Sequence, residues 1–312
     1  LSVSAQAAGS ARVTLARYAL LAVGIAALST AGVLYKLASA STFTIVAYRM
    51  LIAVFMMGPL VFISRTSASP LRQRAIARSD LRLASLSGVF FALDVTLWAL
   101  SVQFTTVSSA ALLVSMDPVF VAIAAALLFG ERPSLAMAAG MAIAVCGAAV
   151  ITVGDFHISG RAFVGDALAL SAAVAETGYL LLGRHVRQRV DALRYAWIVY
   201  GACAACVWLA LVILRAPATL GPSDLLICVG LALLPTVLGH TLVSWSLGHM
   251  PAAVVAISFL SQPILTAFFA FLVLHQLIAP LTAIGGSIAL AGIGVVAFAN
   301  ERAVASGPAQ VV

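Results

Sequence analysis

The polar groups in this chain that could do chemistry are few, and they sit where they are costly. Asp94, Asp117 and Glu176 each fall near the middle of a long apolar run, and Arg49 lies inside another. A charge at the centre of a bilayer costs roughly 2.5–3.5 kcal/mol on insertion scales, so such residues face a bundle interior or a watery cavity. Two roles fit them. They can bind and release a charged ligand or a proton along a transport path, or they can lock helices together through ion pairs. The second suits Asp117, because a carboxyl beside Pro118 can satisfy backbone groups that the proline frees. Helical spacing adds neighbours: Asp94 and Trp98 are four apart, Glu176 and Tyr179 three apart, and His240–Ser244 and Ser258–Gln262 repeat the pattern. Each pair therefore shares a helix face. Aromatic rings beside a few polar groups suit a small amphipathic ligand, with cation–π contact open to an ammonium. Trp98 and Trp245, near the ends of their runs, also suit anchoring at a membrane interface. The candidate substrate-binding set is Asp94, Trp98, Glu176, Tyr179, His240, Trp245, Ser258 and Gln262, with Arg49 and Asp117 as coupling or structural residues. An intramembrane enzyme using Asp94 and Asp117 as an acid pair, or His240 as a base, is the rival from another class.

The elements that must hold these groups follow from composition. Apolar residues make up 63% of 312 positions and charged residues 9%, against roughly 25% charged in a soluble domain. This is the composition of an integral membrane protein. Windows of about 20 apolar residues, enough to cross a hydrocarbon core, fall at roughly 15–35, 42–64, 83–103, 107–129, 134–153, 164–183, 195–214, 224–247, 252–274 and 280–299. Backbone hydrogen bonding inside lipid demands helices or a closed barrel, and these runs lack the alternation of barrel strands. An all-α fold of ten transmembrane helices is expected. The stretch before Arg12 and the tail after Arg302 lack periodicity and are expected to be disordered. A cleaved secretory signal is disfavoured, because the first run flows into Lys36 without a small-x-small site. Cys203 and Cys206 form a CxxC, but the alanines around them and the lack of a second pair point to packing, not to metal or redox chemistry. No metal and no cofactor is expected, and the absence of a GxxxxGK[ST] loop argues against an ATP-driven pump.

The ten runs form two sets. A segment at 109–150 recurs at 254–295, with Pro118 on Pro263, Gly140 on Gly285 and Gly147 on Gly292, all 145 positions apart. Upstream, Trp98 and Leu100 match Trp245 and Leu247 at an offset of 147. Matched elements are five crossings apart, an odd number, so the copies are inverted about an axis in the membrane plane. The halves divide at about 1–153 and 154–312. Pro118, Pro235 and Pro263 lie within runs and are hinge or gate candidates, or static kinks. The small residues of the fifth and tenth runs permit close helix packing inside a monomer or at a dimer contact, and a monomer or homodimer is expected.

Charge placement gives an orientation. Arg65, Arg72, Arg74, Arg78 and Arg82 follow the second run, and Arg184, Arg187, Arg189 and Arg194 follow the sixth. Four crossings separate these loops, so both lie on one side, and the positive-inside rule makes that side the cytoplasm, with both termini. The net charge of +7 is then accounted for by loops facing anionic lipid headgroups, and no nucleic-acid partner is expected.

Leu97 to Ser134, reading LWALSVQFTTVSSAALLVSMDPVFVAIAAALLFGERPS, resembles the EamA-type signature of the drug/metabolite transporter superfamily. Its parts are an aromatic-Ala-Leu helix end, a Thr/Ser/Ala turn, Pro-Val-Phe in the fourth helix and a Gly-Glu-Arg exit. Tyr48-Arg49, Gly165-Asp166, Tyr179 to Gly183 and Pro235 to Pro263 also look like that family. Where the family often has Gly-Glu, the second copy has His275-Gln276. The resemblance implies two inverted five-helix repeats around a central cavity, alternating access and a small-molecule substrate. It points most directly to amino-acid export across a bacterial-type inner membrane, with export of drugs or cationic compounds as the alternative. A passive channel is a third reading, less suited to midspan prolines.

Overall fold

The computed structural model describes residues 2–64, 75–129, 134–247, 255 and 258–306. Apolar runs fold into helices here because a helix satisfies its own backbone groups. In chain order these are α1 (Ser2–Ser29), α2 (Ala31–Leu37), α3 (Thr42–Ser64), α4 (Arg78–Phe104), α5 (Val107–Val114), α6 (Asp117–Phe129), α7 (Leu135–Ile158), α8 (Gly160–Val186), α9 (Ala192–Ile213), α10 (Pro222–Leu231), a π-helical segment (Ala232–Gly239), α11 (His240–Leu247), α12 (Ser261–Leu274) and α13 (Pro280–Ser306). Among the described residues nine helical stretches are long and apolar enough to cross a membrane, and α12, with 14 residues, is a shorter apolar helix.

Three features depart from the continuous runs expected. The stretch before Arg12 is helical from Ser2, because its alanine-rich sequence has high helix propensity and extends the anchored first span. The fourth span breaks at Ser115–Met116, so Asp117 and Pro118 open α6; the ninth has a turn at Leu260, so Pro263 falls in the first turn of α12. In that position the missing proline N–H costs nothing. The eighth span widens into a π-helix around Pro235.

Helix starts are fixed by side chains. Thr106 caps α5 through Ser109 N at 3.0 Å, Ser159 caps α8 through Ala162 N at 3.1 Å, and Asp191 caps α9 through Leu193 N at 3.1 Å. Each acceptor satisfies an orphan amide of the first turn.

The inverted repeat is visible at one crossing. A Cβ built on Gly140 would lie 2.9 Å from Gly292 O, and one on Gly147 would lie 2.6 Å from Gly285 O. Gly285 and Gly292 are the repeat partners of Gly140 and Gly147, so each residue meets the partner of the other, which is what a two-fold axis requires. Sequence number rises along α7 as it falls along α13, so the equivalent helices are antiparallel. Only glycine permits this backbone-to-backbone approach. The other contacts obey the same exchange: α4 packs on α8 as α1 packs on the π segment and α11, while α3 meets α9 and α5 meets α12 near the axis.

Candidate functional site

At one end of the bundle a cavity of about 240 Å³ opens beside the α8–α9 connection. It is lined by Met57 of α3, Tyr179 and Arg187, Asp191, Tyr195 and Tyr200, and His240, Thr241 and Trp245. A second recess of about 410 Å³, sharing Tyr179, Arg187 and Tyr195, extends it toward Arg184 and Gln188. Four of the lining side chains form a layer of rings with Phe91. Phe91 meets Tyr179 at 5.0 Å, Tyr200 at 5.7 Å and His240 edge-on at 6.0 Å, and Tyr179 stacks on Tyr195 at 6.4 Å.

Charged groups stand behind these rings. Asp94 is one turn along α4 from Phe91, Glu176 one turn along α8 from Tyr179, and Thr236 one turn before His240. Arg49, 3% exposed, donates Nε to Thr236 Oγ1 at 2.9 Å and Nη1 to Tyr35 Oη at 2.8 Å, with its guanidinium 5.6 Å from the Tyr35 ring. The widened turn lets Thr236 Oγ1 donate back to Leu231 O at 2.8 Å, and Thr236 O accepts from Tyr200 Oη at 3.4 Å. Asp94 is within Coulombic range of Arg49, Glu176 and Asp117, and Asp117 of Glu176. Trp98 packs edge-on to Tyr35 at 5.7 Å, and its Nε1 is buried without an acceptor among the described residues.

At the opposite end the loops are tied together by hydrogen bonds. Asp224, at the start of α10, accepts from Ser39 N at 2.9 Å, Ser39 Oγ at 2.8 Å and Ala40 N at 3.1 Å, clipping the α2–α3 loop. Thr44 Oγ1 donates to Pro217 O at 2.7 Å and Tyr48 Oη to Ala218 O at 3.1 Å. Lys36 Nζ donates to Val102 O and to Thr105 O at the end of α4. Gln276 Oε1 accepts from Val107 N at 3.3 Å, so the residue standing at the Glu131 position of the second copy helps to start α5. Glu131 itself, with Arg65, Arg72, Arg74 and Arg132, lies outside the described residues.

The structure thus gathers Arg49, Asp94, Asp117 and Glu176 in one cluster and brings Tyr179, His240 and Trp245 to the cavity. Trp98 is packed inward against Tyr35. Ser258 and Gln262 are not among the cavity-lining residues, and Gln262 O accepts from Ser29 Oγ at 3.2 Å, toward α1. The side chain of Ser244 lies outside the described residues. Sequence reading missed Tyr35, Phe91, Tyr195, Tyr200 and Thr236. Four of the chain's six tyrosines, Tyr35, Tyr179, Tyr195 and Tyr200, meet here. That concentration of hydroxyl-bearing rings in apolar runs was the available signal.

Nine membrane-length helices among the described residues, arranged with an inverted repeat and a cavity, form the frame of a membrane transporter. The chain belongs to the EamA-like transporter family, which it matches at residues 16–153 and again at 163–298. It is 29% identical over 235 residues to a protein of Streptantibioticus cattleyicolor named "Probable terminal-alkyne amino-acid exporter", covering 73% of this chain and 76% of that one. It is 26% identical over 257 residues to an "Uncharacterized transporter" of Archaeoglobus fulgidus, covering 80% and 86%. A solved crystal structure of a protein shares the fold at 20% identity, with a TM-score of 0.60 over 90% of this chain and 96% of that one.

Proposed function

We propose that this transporter exports small amphipathic metabolites, most directly amino acids, by alternating access between the halves 1–153 and 154–312. The observation that carries the reading is the aromatic cavity open at one end of the bundle, with Asp94 and Glu176 one helical turn from its ring layer and the loops of the other end tied by hydrogen bonds. The amino-acid exporter among its relatives supports the substrate class. The open end carries Arg184 and Arg187, so the positive-inside rule sets it toward the cytoplasm of a bacterial-type inner membrane, with both termini on that side. Substrate enters there, and Pro118, Pro235 and Pro263 mark where spans bend as the halves exchange roles.

Counterflow in proteoliposomes tests this. Saturable, trans-accelerated exchange of labelled neutral or aromatic amino acids is expected; unsaturable flux would mean a channel, and chemical conversion an enzyme. One observation favours a second reading: three carboxylates share the cluster with a single guanidinium, an excess that suits cationic compounds. Competition by cationic dyes without competition by amino acids would select it.

A further inference from the structure

Arg49 is held on two sides only. Nε and Nη1 are engaged by Thr236 and Tyr35, while Nη2 makes no hydrogen bond to a described residue and is not sealed away. Asp94, 8% exposed, also makes no hydrogen bond to a described residue, and it lies within Coulombic range of both Arg49 and Glu176. A guanidinium edge aimed by two fixed partners, beside Asp94 and Glu176, whose carboxyls make no hydrogen bond to a described residue, is a two-sign site. A cation alone would leave the Arg49 edge unpaired, and an anion alone would face three carboxylates. A ligand carrying both charges on adjacent atoms satisfies both sides, because charges in a low-dielectric interior are tolerated when paired.

Resting on the amino-acid reading above, we propose that the cluster recognises the zwitterionic head of an α-amino acid. The free edge of Arg49 takes the carboxylate, and Asp94 with Glu176 takes the ammonium. The side chain of the ligand lies toward Phe91, Tyr179 and Tyr200. The unmet indole donor of Trp98 sits against the Tyr35 that aims Arg49, at the carboxylate end of the site.

The test is competition against counterflow of labelled L-phenylalanine and L-leucine by phenethylamine, which lacks the carboxylate, and by 3-phenylpropionate, which lacks the ammonium. In the wild type both analogues should compete at least about tenfold more weakly than phenylalanine, the factor a lost charge-assisted pair commonly carries. Arg49→Gln should lose phenylalanine while closing the gap to phenethylamine, and Asp94→Asn should close the gap to 3-phenylpropionate. Arg49→Lys should restore discrimination in part. If phenethylamine equals phenylalanine on the wild type, the two-sign site is wrong while amino-acid transport stands. Uniform loss for every ligand in a variant that still runs monodisperse assigns Arg49 to structure and overturns the proposal. If neither amino acid exchanges, the amino-acid reading fails and the proposal with it. The wild-type panel decides even where a variant does not fold.

Discussion

Two corners of the molecule begin alike and behave differently. Helices α4 and α10, third and eighth in the repeat order, both carry Ser-Asp-Leu in their first turn, as Ser79-Asp80-Leu81 and Ser223-Asp224-Leu225. Inversion places them at opposite ends. Asp224 holds the α2–α3 loop with three hydrogen bonds of 2.8–3.1 Å. Asp80 faces the corresponding α8–α9 loop and, among the described residues, reaches Arg189 at 3.4 Å, with the arginine half in solvent. Equivalent chemistry is thus engaged at one end and slack at the other, and the cavity opens at the slack end. Which end is closed is set by how completely a loop is clipped, not by which residues the two halves possess.

The largest effect should follow removal of the engaged acid. In a background without native cysteines, Val102→Cys, buried under the seal, should react slowly with an impermeant thiol reagent applied from the α10 end. Asp224→Ala should speed that reaction at least about tenfold, since three hydrogen bonds to one charged acceptor are lost together. An unchanged rate would remove Asp224 from the seal.

At the axis between the corners, Gly147→Val forces a side chain onto Gly285 O and should cost about 2–3 kcal/mol of stability. The readout is a lower Tm in detergent with unchanged relative labelling of the two ends; a shift in their ratio would mean that the crossing also selects the conformation. Gln276→Ala removes one neutral hydrogen bond at the closed end, worth about 1 kcal/mol, and should raise Val102→Cys labelling about fivefold. The smallest effect belongs to the slack corner: Asp80→Asn should change labelling of Tyr195→Cys by less than about threefold, because its one ion pair is long and its arginine is half in solvent. A large change there would show that Asp80 already restrains its loop.

The spans and the inversion were legible from hydropathy and from glycines and prolines at fixed offsets, because bilayer thickness and close helix approach constrain residue types directly. The breaks before Pro118 and Pro263 were only half legible, since a proline marks an irregularity without saying whether the helix bends or restarts. Tyr195, Tyr200 and Thr236 went unread because their role depends on which way the seventh and eighth spans are turned, and apolar runs with no polar face do not report that angle. Ser258 and Gln262 show the converse: they are four apart in sequence, but the turn at Leu260 falls between them, so the continuous helix face expected to carry both is interrupted.

The π-helical segment has a consequence for the phase of the eighth span. The offset between the copies is 144 at Asp80 and Asp224 but 147 at Trp98 and Trp245, so the eighth span carries extra residues between its clip and its cavity wall, and the wide turn at Ala232–Gly239 falls between the two. A single residue turns everything beyond it by about 100° in an α-helix. The segment therefore acts as a rotary offset, letting Asp224 address the loop while His240, Thr241 and Trp245 address the cavity from the same rod. Deleting one residue there would leave the span apolar and long enough, yet would swing the cavity wall toward lipid.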